Sequence, residues 1–181
     1  MLIDNLCPQS ADKVRARVRR GAAMRPPVIE SIKIENYRAL QNVEIDKLKP
    51  FTVLVGPNGS GKSTLFDVFA FMETCFTSGI RHAWDRRGGL RQLRSRGAKG
   101  PVSIQISYRE TPQSRLMTYR LEIDEERGRP VVSRELLRCS RSPGPGRPSH
   151  ILDFRHGDGD VVDDETGEIV RIISTGATNL R

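Results

Sequence analysis

The chain has 181 residues, with 30 Lys+Arg against 22 Asp+Glu for a formal net charge of +8, and 36% hydrophobic against 29% charged residues. That length fits one domain of about 150 residues, with little to spare. The lean apolar fraction, together with 16 Gly and 11 Pro, predicts a modest core and much loop. The longest clean apolar run, Phe51 to Val55, falls far short of the roughly 20 residues that cross a bilayer. In MLIDNLCPQSADKVRARVRR the charges follow the weak apolar patch, the wrong order for a secretory signal. The three cysteines, Cys7, Cys75 and Cys139, stand at neither metal-ligand nor redox spacing and read as thiols in a reducing compartment. These features exclude membrane and secreted classes and make the cytoplasm the expected location.

Residues 1–27 read as a flexible basic lead-in ending in Arg25-Pro26-Pro27, with Met24 an alternative start. Residues 28–181 form the domain proper, divided into a core (28–77), a basic connector (78–100) and a β-rich part (101–181). Ile29, Ile32 and Ile34, then Val43 and Ile45 alternating with Glu44 and Asp46, predict two strands. Phe51-Thr52-Val53-Leu54-Val55, bounded by Pro50 and Gly56, predicts a strand buried on both faces. Leu65, Val68, Phe69, Met72 and Phe76 recur at helical spacing. Phe66, Phe71 and Cys75 fall on other faces, so a helix over 61–77 is expected to be packed inside. VSIQISY, LMTYRLEID and Val131 to Arg138 return to period two and predict antiparallel strands with one wet face. SPGPGRPS, 142–149, is a loop, followed by two weak strands near 151–154 and 169–173.

Charge is uneven along this order. Arg81, Arg86, Arg87, Arg91, Arg94, Arg96 and Lys99 face only Asp85 in their segment, whereas 153–168 is acidic. A basic run interleaved with Trp84 suits a polyanion, or equally a solvated loop.

The segment with the clearest chemistry is Gly56-Pro57-Asn58-Gly59-Ser60-Gly61-Lys62-Ser63-Thr64, which satisfies G-x-x-x-x-G-K-[ST], the Walker A pattern. Gly56, Gly59 and Gly61 admit positive φ and close backbone approach, so successive N–H groups form an anion nest. Lys62 brings an ammonium to β and γ phosphates, Ser63 offers a hydroxyl to Mg²⁺, and Thr64 an α-phosphate contact. The helix that follows aims its positive end at the same point. An apolar strand before the loop and a helix after it predict binding of a nucleoside triphosphate. The Asn-Lys-x-Asp of guanine recognition is absent, and Asp85-Arg86-Arg87-Gly88 lacks the strand a GTPase motif requires.

Ile32-Lys33-Ile34-Glu35-Asn36-Tyr37-Arg38-Ala39-Leu40, a β pair and Gly-Pro-Asn-Gly-Ser-Gly-Lys-Ser-Thr together resemble the N-terminal lobe of RecF/SMC-like ATPases, an ABC-type branch often labelled AAA family. The resemblance covers about Val28 to Tyr108 well and the remainder loosely. It implies an α/β fold, a P-loop NTPase N-lobe with a β-rich antiparallel extension, and incomplete as it stands. It also implies ATP and Mg²⁺ as cofactors, with Arg38 approaching the phosphates and Gln92 as the candidate glutamine sensing Mg²⁺ and the attacking water. A head-to-head homodimer of the full-length protein and DNA as a partner of the 81–99 segment follow from the same likeness, as do roles in DNA maintenance or in defence against foreign DNA.

Departures from the family pattern bear on hydrolysis, which needs an apolar strand ending in Asp-Glu. Leu121-Glu122-Ile123-Asp124-Glu125 alternates polar and apolar, and Val161-Val162-Asp163-Asp164-Glu165 follows a Gly-Asp loop, so neither qualifies. A Ser-Gly-Gly signature and a switch histidine are also missing, which points to the N-terminal part of a longer ATPase. His150, Asp153, His156, Asp158 and Asp160 read as a polar hairpin rather than a metal cluster, since the twelfth position of an EF-hand frame would be Ile169. Two other classes remain open: a nucleic-acid-binding module with a vestigial P-loop, and a small-molecule kinase, which the β-rich tail disfavours.

Overall fold

The structure is a computed structural model that describes residues 27–140, 149–162 and 169–172. Outside these fall the basic lead-in with Met24, the SPGPGRPS loop up to Pro148, and Asp163-Asp164-Glu165. The elements run β1 (Val28–Tyr37), β2 (Leu40–Ile45), α1 (Lys62–Ser78), α2 (Ile80–Asp85), α3 (Leu90–Leu93), β3 (Val102–Arg109), β4 (Met117–Glu126), β5 (Arg129–Cys139), β6 (Ser149–Arg155), β7 (Asp158–Val162) and β8 (Ile169–Ile172). Eight strands form one sheet in the order β2-β1-β3-β4-β5-β6-β7-β8, and every neighbouring pair is antiparallel. The architecture is therefore a sheet-rich α/β fold with an antiparallel sheet.

Period-two alternation sets the two faces. Ile34 of β1 lies opposite Ile104 of β3, which lies opposite Leu121 of β4, and all three are buried in one core with Ile32, Val102 and Ile123. One step along, Lys33, Gln105 and Arg120 align on the other face, as do Glu35, Ser103 and Glu122. That face carries an ionic ladder: Lys33–Glu35 at 3.2 Å, Arg120–Glu35 at 3.5 Å and Arg120–Glu122 at 2.7 Å. Two of these pairs run along one strand and the third reaches from β4 across β3 to β1, and partly exposed pairs of this kind add little stability. The β4–β5 and β6–β7 turns place Arg127-Gly128 and His156-Gly157 at positive φ, as two-residue hairpins require.

Helix α1 packs one stripe, Leu65, Val68, Phe71 and Met72, against the core. Tyr37 and Phe71 meet with ring centroids 5.7 Å apart, and Phe76 meets Tyr119 at 5.6 Å. The expectation that α1 is enclosed on all sides does not hold, because Phe66 is 65% exposed and Phe76 46%. Nor is Phe51 to Val55 a buried strand. It is irregular, with Phe51, Val53 and Val55 exposed and only Leu54 leaning on the core. The physical reason lies in backbone pairing: a two-sided buried strand needs strands on both edges, and among the described residues none runs beside it.

After Gly79, the connector turns back as α2 and α3, burying Trp84 and Leu93. The expected short helical turns are present there, and three of the seven cations lie beside carboxylates. Arg87 and Arg94 pair with Asp67 and Asp124, and Arg81 lies 3.9 Å from Asp85. Exposed Arg86, Arg91, Arg96 and Lys99 remain at the surface. No helix among the described residues is long and apolar enough to cross a membrane.

Candidate functional site

The segment Gly56–Thr64 leads straight into α1. Gly59 and Gly61 have φ of 81° and 92°, a region costly to residues with a Cβ. Gly61 is the N-cap of α1, and a Cβ built there would fall 2.8 Å from Leu40 Cδ2. A Cβ on Gly56 would meet Ser60 Oγ at 2.9 Å. Three glycines thus serve different ends: Gly59 and Gly61 turn the chain, while Gly56 and Gly61 let it pass close to a neighbour.

The loop is exposed from Gly56 to Ser60 and tied by Ser60 N–H donating to Pro57 O at 3.3 Å and Leu65 N–H to Gly61 O at 2.9 Å. The helix has no side-chain cap and no acidic residue in its first turn. Its leading amides, Lys62, Ser63 and Thr64, have no carbonyl one turn earlier within the helix, as at every helix start. The Lys62 ammonium folds over the loop, donating to Gly56 O at 2.7 Å, Pro57 O at 2.6 Å and Ser60 Oγ at 3.3 Å. The result is a positive helix end with no acidic residue in its first turn and a cation above it. Asn58, Ser60 and Ser63 are exposed on the same loop.

Arg38 is brought to the same helix. It sits in the β1–β2 turn at φ 50°, with its N–H donating to Leu93 O at 2.7 Å. Its Nη1 lies 2.9 Å from Asp67 Oδ2 on α1. The same carboxylate accepts from Tyr37 Oη at 2.6 Å and from Arg87, through Nε at 3.1 Å and Nη2 at 3.0 Å. Burial alone would raise the Asp67 carboxyl, but the hydrogen bonds from Tyr37 and Arg87 and the two guanidinium charges hold it below the usual carboxylate range. Burial and the Asp67 bond push the Tyr37 phenol well up, so that oxygen stays a donor. Sequence reasoning missed Asp67. The available signal was a carboxylate one turn after Thr64, between Phe66 and Val68, one of two acids in α1.

Other candidates are set apart. Gln92 is exposed on α3, its amide over Gly88, where a Cβ would lie 2.5 Å from Gln92 Cδ. Among the described residues no hydrogen bond joins its side chain to the loop. Asp124, the first acid of the Asp124-Glu125 pair that ends Leu121–Glu125, accepts from Arg94 at 2.6 Å and from the N–H of Glu125 at 2.8 Å. His150 Nδ1 lies 3.5 Å from Asp153, and His156 Nδ1 3.6 Å from Glu126, so the two histidines serve different carboxylates. Two open concavities, of about 400 and 420 Å³, lie on the polar face of the sheet around Glu122 and Arg120, away from the glycine loop.

A family model described as AAA ATPase domain matches residues 28–127. Over 44 residues the chain is 41% identical to the chromosome partition protein Smc of Methanocaldococcus jannaschii, a stretch covering 24% of this chain and 4% of that protein. Over 44 residues it is 43% identical to the DNA double-strand break repair Rad50 ATPase of Methanococcus maripaludis, again 24% of this chain and 4% of the relative. The chain therefore spans only a small part of the length of either relative.

Proposed function

The chain belongs to the AAA ATPase domain family, and from that premise we propose that Gly56–Thr64 binds the triphosphate of ATP together with Mg²⁺. The observation that carries this reading is the junction itself. A glycine in left-handed conformation opens an uncapped, acid-free helix, and the Lys62 ammonium already lies across the loop carbonyls. Bound phosphate oxygens would take Lys62 from those carbonyls and receive the amides of the first turn, exchanging neutral acceptors for charged ones.

The donor chemistry fits Mg²⁺. Ser63 offers an exposed hard oxygen in the first turn, and a cation of this kind takes its remaining ligands from phosphates and water. When bound it would neutralise triphosphate charge. This chain's own part is to position: Lys62 and the amides hold the phosphates, Ser63 the cation, and Thr64 the inner phosphate. Hydrolysis belongs to a longer protein, because Asp124 and Glu125 lie on an antiparallel strand and Asp124 is engaged by Arg94. The exposed Phe51, Val53 and Val55 support the same reading, since a parallel strand from the remainder of the ATPase would cover them. A head-to-head dimer closing over ATP, and work on DNA, are the roles this proposal extends to the complete protein.

Titration of the 181-residue chain with Mg-ATP by calorimetry tests the proposal. Binding is expected in the unsubstituted chain and loss of at least tenfold in Lys62→Ala, because charge-assisted contacts of about 1.5 to 3 kcal/mol each are removed. Unchanged affinity in Lys62→Ala refutes it. Salt-dependent DNA binding that survives Lys62→Ala, without ATP binding, instead supports the vestigial-loop module acting through Arg86, Arg91, Arg96 and Lys99.

A further inference from the structure

The three groups that meet the Asp67 carboxylate are not equivalent. Arg87 is locked: its side chain is 10% exposed, it reaches Oδ1 through two nitrogens, donates to Ala83 O at 3.3 Å, and lies 5.1 Å over the Phe71 ring. Tyr37 is fully buried with its hydroxyl at 2.6 Å. Arg38 is held differently. Its side chain is 36% exposed and its Nη1 lies 2.9 Å from Asp67 Oδ2, with its guanidinium 6.0 Å from the Tyr37 ring.

The backbone beneath Arg38 is fixed by the bond to Leu93 O, the Tyr37–Arg94 bridge and the bond from Ser95 N–H to Asn36 O at 3.1 Å, so only its side chain has freedom to swing. Asp67 follows Thr64 by three residues, on the same face of α1. The rise between them is about 4.5 Å, and helical side chains lean toward the turn before their own. Asp67 therefore stands on the face of α1 that carries Ser63 and Thr64, one turn further along.

We propose that Asp67 is a positioning residue that parks the Arg38 guanidinium one helical turn from the phosphate loop, and that triphosphate binding transfers Arg38 from this carboxylate to the phosphates. The inference rests on ATP binding at Gly56–Thr64. Arg87 and Tyr37 stay on Asp67 throughout, keeping the carboxylate solvated by protein while one cation leaves. The parking contact competes with phosphate, so it lowers the fraction of chain ready to bind and weakens the apparent affinity by that fraction.

A double-mutant cycle read by Mg-ATP calorimetry tests this, with thermal unfolding run on each variant. Asp67→Asn is expected to tighten Mg-ATP binding about threefold to fivefold, the range for a partly exposed ion pair, and to have no effect in an Arg38→Ala background. Equal tightening with and without Arg38 means simple repulsion between Asp67 and phosphate, and overturns the proposal; so does unchanged or weakened binding. Because Asp67→Asn also disturbs Arg87, the unsubstituted chain supplies a second reading. With ¹⁵N-labelled arginine, the Arg38 guanidinium resonance is expected to shift on adding Mg-ATP while that of Arg87 stays. Movement of neither, in a chain that calorimetry shows to bind, overturns the parking role alone. No binding by the unsubstituted chain overturns both readings.

Discussion

Gly61→Ala and Gly59→Ala separate what the loop owes to backbone conformation from what it owes to packing. Both positions have positive φ, 92° and 81°, so each alanine incurs about 1 to 2 kcal/mol of left-handed strain, less about 0.4 to 1 kcal/mol regained from a stiffer unfolded chain. At Gly59 nothing lies within 4 Å of the added Cβ, so the net cost is about 1 kcal/mol. At Gly61 the Cβ meets Leu40 Cδ2 at 2.8 Å, and Leu40 is 5% exposed, inside the core. Leu40 cannot turn away without displacing its neighbours, so an overpacking cost of about 1 to 3 kcal/mol adds to the strain. Gly61→Ala is then expected to lose about 3 kcal/mol, some 2 more than Gly59→Ala. Urea unfolding followed by far-ultraviolet circular dichroism measures both. A Leu40→Ala partner should show a favourable coupling of about 1 to 2 kcal/mol with Gly61→Ala and none with Gly59→Ala. Equal losses at the two glycines, or no coupling to Leu40, would refute the close approach of the loop to β2.

Three further outcomes are expected. Glu135 is 6% exposed on the core face and accepts from Tyr119 Oη at 2.8 Å; burial raises its carboxyl and the Tyr119 bond only partly offsets this. The native state therefore binds its proton more tightly than the unfolded chain, and stability falls as pH rises above the unfolded value of 4.5. Glu135→Gln should raise the unfolding free energy at pH 8 and lose that advantage below the ordinary carboxylate range; denaturant midpoints across pH check the sign. Burial likewise pushes the Cys75 thiol up to about 12, so alkylation at pH 8, located by peptide mass spectrometry, should be slow in the folded chain and fast in urea. Phe51→Ser should change stability by less than about 0.5 kcal/mol, where a buried aromatic truncated to a small residue would lose about 3 to 5 kcal/mol.

What the sequence disclosed depended on how local the cause was. β3, β4 and β5 were legible because one polar and one apolar face impose period two directly, as in Ile104, Ile106 and the intervening Gln105. The start of α1 was legible from the glycines, whose positive φ is a local demand. Phe51–Val55 misled because an apolar run records the environment it is suited to, and the partner strands are not among the described residues. The polar hairpin read over His150 to Asp160 is present as β6 and β7: Asp158, Gly159 and Asp160 pair with Arg155, Phe154 and Asp153, and a Cβ at Gly159 would fall 2.1 Å from Asp153 O. Asp67 and the pairing of Arg87 and Arg94 were hidden, being contacts between segments 20 or 30 residues apart that leave no periodic trace.

The two halves of the sheet are stitched by turns of a few residues within β1–β2 and β3–β5, but they join through one ladder, β1 with β3, where Glu35 meets Ser103. Everything between, including the glycine loop and the three helices, is an excursion enclosed by that seam. Closing a span of this length is entropically dear and is repaid only when α1 docks. The seam lies in the core, with Ile32, Ile34, Val102 and Ile104 buried, so its amides should exchange only through the costliest openings. Any ligand that steadies α1 will slow exchange along β1 and β3, far from the atoms it touches.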